Sequence, residues 1–177
     1  NNTVWDAGRA IKKDLERYGE SVKLDVRETH KPGFKFNEHE FRGVPLRIAI
    51  GPRDIANGTV EVARRDTFEK EVLQIQDLAP KVMHLLEQFQ SNLYNRAVTY
   101  RDERTYRTDN WEEFNAILDK GGFIYAHWDG TPETEQKIKE LTKATIRCIP
   151  LNNPKEDGKC ILTGNPSNQR VLFARAY

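Results

Sequence analysis

The sequence predicts an α/β fold, in which helices flank a mixed β-sheet, followed by a second and smaller α/β unit. Segments with helical periodicity alternate along the chain with short apolar or alternating segments that are typical of strands. A long amphipathic helix, predicted at residues 78–100, is followed at residues 101–110 by a charged stretch with almost no apolar side chains. Such a change in composition indicates a domain boundary. We therefore predict a first domain at residues 1–103 and a second at residues 104–177.

The first domain begins with an amphipathic helix at residues 7–18, where apolar side chains recur at steps of three and four residues. Gly19 is typical of the residue that ends a helix. Alternating apolar and charged side chains at residues 21–26 predict a strand with one buried face. The polar stretch at residues 27–33 contains proline and glycine, and it predicts a loop.

The middle of the first domain predicts further strands. Residues 36–41 predict a short helical turn, and the apolar stretch at residues 44–50 predicts a buried strand. The dipeptide Asn57-Gly58 is a strong signal of a β-hairpin. It therefore predicts a tight turn into a strand at residues 59–64.

One more strand and the longest helix complete the first domain. The strand is predicted at residues 70–75. Asp77 is a favourable N-cap for the helix at residues 78–100, whose apolar stripe predicts a face packed on the core. Residues 101–110 predict an irregular connector to the second domain.

The second domain is delimited by capping residues. Asn110 predicts the start of a helix that carries Trp111, and Gly121 predicts its end. Pro132 predicts the start of another helix, because proline is favoured in the first turn. The predicted helices occupy residues 111–120 and 131–141, and the predicted strands occupy residues 123–128, 144–150, 159–162 and 170–174.

Composition limits the classes of function. Apolar residues make up 37% and charged residues 31% of the chain, as in a globular protein with a core, and no apolar run approaches the ~20 residues of a membrane span. The net charge of +1 gives no sign of a nucleic-acid partner, so that such a surface has to be a local patch. The two cysteines, Cys148 and Cys160, are too few for a disulfide framework and favour the cytoplasm. Because the sequence does not begin with Met, we expect it to be a piece of a longer protein.

Several ordered blocks of the sequence resemble the C-terminal part of prolyl-tRNA synthetase, in its archaeal and eukaryotic-like form. The longest block, at residues 31–54, reads KPGFKFNEHEFRGVPLRIAIGPRD. Shorter blocks lie at residues 62–66, 121–128, 144–150 and 170–177. The resemblance implies a class II synthetase anticodon-binding domain whose first strand is missing from this sequence, followed by the small α/β C-terminal domain of this form.

The resemblance also implies a function for the longer protein. A prolyl-tRNA synthetase activates proline with ATP and Mg²⁺ and ligates it to tRNA(Pro), using a catalytic domain that precedes the residues seen here. The present chain is then expected to hold no cofactor and to be inactive alone. Its expected partners are tRNA(Pro) and its own N-terminal catalytic domain, and the full-length protein is expected to be a homodimer.

Residues that read an anticodon must stack on splayed bases and bond their edges. Proline anticodons share two guanines, which call for cations at O6 and N7 and a carboxylate at N1 and N2. The segment from Lys31 to Arg53 offers aromatic, cationic and acidic side chains of this kind. The resemblance points to the following candidates: Phe36, Glu40, Arg47, Arg53 and Lys35.

Structural explanations of the same residues remain open. An aromatic residue such as Phe36 is more often part of a core than a stacking platform. Arg47 lies in an apolar strand, where it is also explained by an ion pair with Glu61 or Asp54. Two other classes of function are weighed as well. One is a protein-interaction module that docks through the helix at residues 78–100. The other is an independent enzyme, for which we find no phosphate-binding loop and no catalytic motif.

The resemblance implies a zinc site that the residues here do not support. Relatives of this form often bind zinc in the C-terminal domain with four cysteines, and tetrahedral zinc needs four such ligands. The corresponding positions read Asp129, Thr134, Cys160 and Thr163. We therefore predict no metal, and a turn around residues 163–166 in place of the zinc knuckle. His127 is expected to be a packed or hydrogen-bonded residue rather than a ligand.

The last residue, Tyr177, has two explanations. The resemblance implies that it is buried, with its carboxylate turned towards the catalytic domain, and so couples the two domains. Alternatively, it is an aromatic anchor that keeps the terminal strand from fraying.

Overall fold

The computed structural model describes residues 2–176 of the chain. Contacts divide the chain into two compact units, Asn1–Asn95 and Arg96–Tyr177. The division falls inside the longest helix, whereas the boundary expected from the sequence, between residues 103 and 104, lies just after that helix ends. No helix of the described residues is both long and apolar enough to cross a membrane.

The first unit is built on a three-stranded antiparallel sheet with β2 at its centre. The strands are β1 (Leu46–Ala49), β2 (Thr59–Arg64) and β3 (Lys70–Gln74). The helices are α1 (Asn2–Glu16), α2 (Pro32–Phe41), α3 (Pro52–Asn57) and α4 (Leu78–Asp102), with a 3₁₀ turn (Ile75–Asp77) before α4. The core of the unit is formed by Leu15, Val60, Val62, Leu73, Leu78, Ala79, Val82 and Leu85.

The strand register places polar side chains on the outer face of this sheet. Arg47 pairs with Ala63, and Ala63 pairs with Lys70. Glu61 pairs with Val72. Side chains directly across neighbouring strands point to the same side, and successive residues of a strand alternate between the two sides. Because the valines of β2 face the core, these five residues lie on the opposite, outer face.

The sequence prediction is wrong at two places in the first unit. Residues 21–26 form no strand. The alternation is real, since Val22 packs on the core and Leu24 packs against Gly8 of α1, but no strand of the described chain pairs with this segment. Asn57-Gly58 is not a hairpin turn, because it ends α3, with Gly58 in the left-handed conformation (φ +66°). A helix end and a hairpin both use this conformation, which the dipeptide alone does not distinguish.

The remaining elements of the first unit are close to those predicted. The strands expected at residues 44–50, 59–64 and 70–75 are confirmed as β1, β2 and β3. The long helix is confirmed as α4, although Asp77 belongs to the 3₁₀ turn before it. The short helical turn predicted at residues 36–41 is the second half of α2, which starts at Pro32.

The second unit is built on a four-stranded mixed sheet of order β4-β5-β9-β6. Strand β4 (Thr105–Arg107) is parallel to β5 (Phe123–His127), and β9 (Arg170–Arg175) runs antiparallel to both β5 and β6 (Ala144–Cys148). Helices α5 (Trp111–Lys120) and α6 (Pro132–Thr142) accompany the sheet, and β7 (Gly158–Lys159) pairs with β8 (Pro166–Ser167). The buried core consists of Phe114, Ile117, Leu118, Ile124, Ala126, Ile138, Ala144, Ile161, Val171 and Phe173.

The helices predicted for the second unit are confirmed, and α6 starts one residue later than predicted. The side chain of Asn110 accepts a hydrogen bond from the backbone N–H of Glu113 at 2.8 Å, and so begins α5. Thr131 caps α6, with Pro132 in the first turn. The irregular connector is wrong at its centre, because β4 lies there. As an edge strand, β4 needs no alternating apolar pattern, and the sequence therefore gives no strand signal.

Candidate nucleic-acid interface

Helix α2 presents candidate residues on two different faces. Its first turn contains Pro32, whose fixed φ suits the start of a helix. Phe36 and Glu40 are four residues apart and therefore share one face, and Lys35 and His39 share another. The five candidates consequently do not form a single cluster.

Arg47 is the centre of the cluster that the structure does form. Its guanidinium carbon lies 3.7 Å from the centroid of the Phe36 ring, which is a cation–π contact. Its Nη1 donates to Glu61 Oε1 at 3.4 Å, and its Nε lies 3.9 Å from Glu40 Oε1. The side chain of Arg47 is only 13% exposed. Contacts from α2 and from β2 thus fix the guanidinium in place.

The cluster extends along the outer face of the sheet to Lys70, whose Nζ lies 3.5 Å from Glu61 Oε1. From the sequence, Glu61 is expected only as an ion-pair partner of Arg47, and Lys70 is not among the candidates. The signal that identifies both residues is the period of two in β2 and β3, which puts them on the same side as Arg47 once the strands are paired.

The arrangement around Arg47 leaves hydrogen-bonding capacity unused. Its Nε is buried and has no hydrogen-bond partner within residues 2–176. The carboxylates of Glu40 and Glu61 flank the guanidinium and are both about one-third exposed. A guanidinium donor beside carboxylate acceptors is complementary to the edges of guanine, which offers O6 and N7 as acceptors and N1–H and N2–H₂ as donors.

Lys35 belongs to a different network on the other face of α2. Its Nζ lies 3.8 Å from Asp25 Oδ1, and His39 Nε2 lies 2.9 Å from Asp25 Oδ2. Arg27 bonds both Asp25, at 2.6 Å, and Glu38, at 2.5 Å. The Arg27 guanidinium lowers the pKa of both carboxyl groups and holds that of Asp25 well below its usual range. This network ties the segment before α2 to the helix, and the structure does not bring Lys35 to Arg47.

Arg53 is exposed in the first turn of α3 and makes no ion pair with the described residues. Its neighbour Asp54 accepts a hydrogen bond from the backbone N–H of Gly51 at 2.7 Å, which caps α3 and does not involve Arg47. Of the two partners considered for Arg47, the structure therefore selects Glu61. Phe34 is 55% exposed and stacks on His30, with 4.6 Å between ring centroids.

The positions that correspond to the zinc ligands form a hydrogen-bonded cluster around Asp129. Thr163 Oγ1 donates to Asp129 Oδ2 at 2.8 Å, and Thr134 Oγ1 donates to the same oxygen at 3.0 Å. Thr131 Oγ1 and Asn165 Nδ2 donate to the carboxylate at 3.0 and 3.2 Å. Burial raises the pKa of Asp129, but these hydrogen bonds outweigh it and lower the pKa to about 2.

This donor set does not fit a tetrahedral zinc ion. The threonine hydroxyl groups at these positions are neutral and already donate to Asp129. Cys160 provides the one thiol among the four positions. The turn that contains Cys160 is closed by backbone hydrogen bonds, from Cys160 N to Asn165 O at 2.8 Å and from Gly164 N to Cys160 O at 2.9 Å. Within residues 2–176 no group of three or more potential ligands is placed to hold a metal.

The second unit also contains a cleft of about 710 Å³, lined in part by a buried histidine. His127 is 1% exposed, and its Nδ1 lies 3.0 Å from Ser167 Oγ. The hydroxyl of Ser167 donates to Gln169 O at 2.9 Å, so that His127 Nδ1 is the donor to Ser167. Burial, together with the charge of Arg170, lowers the pKa of His127. A neutral, hydrogen-bonded imidazole agrees with the role expected from the sequence. Tyr177, the proposed coupling residue, lies outside the described residues.

Two protein-family models match the chain. A model described as "Anticodon binding domain" matches residues 2–85, and one described as "Prolyl-tRNA synthetase, C-terminal" matches residues 111–177.

Curated relatives named proline–tRNA ligase match most of the chain. The protein from Flavobacterium johnsoniae is 58% identical over 158 residues, which is 89% of this chain and 32% of the relative. The protein from Christiangramia forsetii is 50% identical over 175 residues, which is 98% of this chain and 36% of the relative. The protein from Porphyromonas gingivalis is 53% identical over 163 residues. The chain spans about a third of the length of these relatives.

Proposed function

The chain belongs to the prolyl-tRNA synthetase family, with an anticodon-binding domain and a C-terminal domain, and from this premise we propose that its first unit reads the anticodon of tRNA(Pro). The reading group is Arg47, supported by Glu40, Glu61 and Phe36. The observation that carries the proposal is the guanidinium of Arg47, which lies on the ring of Phe36 between the partly exposed carboxylates of Glu40 and Glu61.

The chemistry of guanine explains why such an arrangement is useful. Phe36 and Glu61 hold the guanidinium of Arg47 in one orientation before any ligand is bound. A donor that is already oriented loses little conformational freedom on binding. The guanidinium then donates to O6 and N7 of a guanine, and Glu40 accepts from N1 and N2 of the same or the neighbouring guanine. Adenine has an amino group in place of O6, so that it presents a donor to a donor.

The longer protein is proposed to be a proline–tRNA ligase. It uses ATP and Mg²⁺ in a catalytic domain outside the present chain, and the chain alone has no ligase activity and needs no cofactor of its own. The relatives bear this name, and the chain covers about a third of them. Homodimerisation, contact with the catalytic domain and the coupling role of Tyr177 belong to the same proposal. The cytoplasm is proposed as its compartment, which agrees with two cysteines that form no disulfide.

A docking role for α4 has less support. The apolar stripe of α4 is used inside the protein, because Leu78, Val82, Leu85 and Phe89 are buried. RNA binding and protein docking differ in their response to salt, since binding through phosphates weakens steeply as the salt concentration rises. A gel shift with tRNA at two salt concentrations therefore separates them.

The central test measures binding of an anticodon stem-loop RNA to the variant Arg47→Ala. We expect the loss of one base-reading arginine to weaken binding by about 1–3 kcal/mol. Replacing each anticodon guanine in turn by 7-deazaguanine removes the N7 acceptor alone. This replacement is expected to weaken binding to the unmodified chain at one guanine, and to have no further effect on Arg47→Ala.

Arg9→Ala is the matched control, because Arg9 is an exposed arginine of α1 that pairs with Asp6. It should bind the stem-loop with unchanged affinity. If Arg47→Ala still prefers guanine to adenine by the same factor as the unmodified chain, Arg47 is not the reading group.

A further inference from the structure

The hairpin between β2 and β3 presents an aromatic residue in an unusual backbone conformation. Phe68 has a φ of +61° and is 76% exposed. Where a turn needs a residue in the left-handed conformation, glycine is the usual choice. A bulky side chain with positive φ is uncommon and strained. The strain cannot be explained by burial of the ring, because the ring lies in solvent.

The loop around Phe68 is rigidly attached to the rest of the first unit. The side chain of Asp66 is 0% exposed, and it accepts hydrogen bonds from Arg64 Nη2 and from Asn92 Nδ2 of α4, both at 2.7 Å. On the other side, the backbone N–H of Arg65 donates to Pro45 O at 3.0 Å. The backbone N–H of Phe68 donates to Arg64 O at 3.0 Å. These contacts fix the backbone of the turn that carries Phe68.

The position of the hairpin relates Phe68 to the Arg47 cluster. Lys70 lies level with Arg47 in the strand register, with Ala63 between them. Phe68 is two residues before Lys70 in the chain, so that their Cα atoms lie within about 7 Å of each other. A nucleotide next to one that contacts Arg47 is therefore within reach of the ring. The same loop also carries Arg65, whose guanidinium carbon lies 5.4 Å from the Phe89 ring and which makes no ion pair with the described residues.

We propose that Phe68 is a stacking platform for an unpaired base of the anticodon loop, adjacent to the guanines read at Arg47. This proposal rests on the proposed function. Single-stranded RNA is recognised by stacking splayed bases on exposed aromatic rings, beside cations that attract the phosphates. Phe68 supplies the ring, and Arg65 and Lys70 supply positive charge next to it. Backbone strain of this kind is found at functional sites. Here the strained residue exposes an aromatic ring on which a base can stack.

The test uses the 177-residue chain and an anticodon stem-loop RNA that contains the two guanines of proline anticodons. Phe68→Asn removes the ring, and asparagine tolerates the left-handed conformation. We expect the unfolding midpoint of this variant to be unchanged or raised. Loss of one base–aromatic stack is expected to weaken binding by about 5-fold to 150-fold. Phe68→Trp retains an aromatic face and should restore the affinity.

Abasic RNAs identify the base that stacks. In a series of stem-loops with one base removed at each loop position in turn, Phe68→Asn is expected to have no effect on the RNA that lacks the stacked base. It should weaken binding to all the others. Tyr94→Ala is the matched control, because Tyr94 is a similarly exposed aromatic residue on α4. This variant should leave every affinity unchanged.

Two results overturn the stacking role. Either Phe68→Asn binds the intact stem-loop as tightly as the unmodified chain, or it weakens binding by the same factor for every abasic RNA. In both cases a loss of affinity in Arg47→Ala leaves the proposed function in place, and Phe68 alone is rejected. If the unmodified chain binds the stem-loop no better than a hairpin with a scrambled loop, both proposals are overturned together.

Discussion

A carboxylate organises a turn in each unit, Asp66 in the first and Asp129 in the second, and the two are stabilised in different ways. Asp66 accepts hydrogen bonds from the guanidinium of Arg64 and from Asn92, and these lower its pKa to about 2. Asp129 reaches a pKa of about 2 with neutral donors, three hydroxyl groups and one amide. The same electrostatic result thus arises from one opposite charge or from several oriented dipoles.

The difference predicts how each turn responds to damage. A charge pair depends on both members, since removing one leaves the other charged and without a counter-ion. A cluster of neutral donors divides its contribution among several bonds, so that each bond matters less. The hairpin of the first unit should therefore be more sensitive to a single substitution than the turn around Asp129.

The largest effect is expected for Asp66→Asn. This substitution leaves the Arg64 guanidinium, which is 15% exposed, without its carboxylate. Loss of one partner of a largely buried pair should lower the free energy of unfolding by about 3 kcal/mol. Urea denaturation followed by circular dichroism measures the change. Asp6→Asn, at an exposed ion pair of α1, is the control and should change stability by less than about 0.5 kcal/mol.

A smaller effect is expected for Asp129→Asn, because no charge is left unpaired. The variant should lose about 2 kcal/mol, since an amide accepts fewer hydrogen bonds than a carboxylate, and Thr163→Val should lose about 1 kcal/mol. The fluorescence of Trp128, whose indole N–H donates to Thr131 O at 3.1 Å beside the cluster, reports on unfolding in urea. If Asp129→Asn costs more than Asp66→Asn, the comparison between the two carboxylates is wrong.

Acid should destabilise both units through these carboxylates. Their folded pKa of about 2 lies below the ordinary value of 3.8, so that the folded protein holds the proton less readily than the unfolded chain. The stabilisation is present above pH 3.8 and is lost as the pH falls towards about 2. Each carboxylate contributes a slope of at most about 1.4 kcal/mol per pH unit. Asp66→Asn and Asp129→Asn should each flatten the dependence in this range, and an unchanged slope would contradict the assignment.

The smallest effect on the free energy of unfolding is expected from protonation of His127, and it concerns the second unit alone. Because burial lowers the pKa of His127 from 6.5, the unfolded chain binds this proton more readily. Stability should therefore be full above pH 6.5 and fall as the pH drops below it. His127→Asn should remove this part of the pH dependence in a series of urea melts between pH 5 and 8. Glu156 Oε1, at 3.9 Å from Nε2, is the group able to pair with a protonated imidazole, and it limits the loss.

The sequence predicts helices of this protein better than it predicts turns. The caps of α5 and α6 are set by local chemistry, namely a side chain that bonds to the backbone three residues later. At Gly58 the sequence correctly predicts a residue that adopts the left-handed conformation, but it predicts a hairpin turn. In the structure this residue ends helix α3. The sequence does not indicate strand β4, because β4 is stabilised by its pairing with β5, and β5 lies outside the segment itself.

The candidate site shows the same limit. Phe36, Glu40 and Arg47 were selected from the sequence, and the structure brings these three together. Lys35 is only one residue from Phe36, and the helical turn of α2 directs it to Asp25. Phe68 was not selected, because a positive φ is a property of the hairpin and leaves no mark in the sequence beyond an apolar residue in a polar loop. Residues that are adjacent in sequence, such as Lys35 and Phe36, can therefore belong to different surfaces of the protein.

The order of strands in the second unit has a consequence for the kinetics of folding. Strand β9 follows all the other strands of its sheet in sequence, yet it lies between β5 and β6. These two strands are joined only through β9, so that β6 has no hydrogen-bonded neighbour in this sheet until β9 is in place. During synthesis the ribosome therefore has to release residues 170–175 before the sheet can close. Until then, the apolar sides of β5 and β6 are open to chaperones and to other chains.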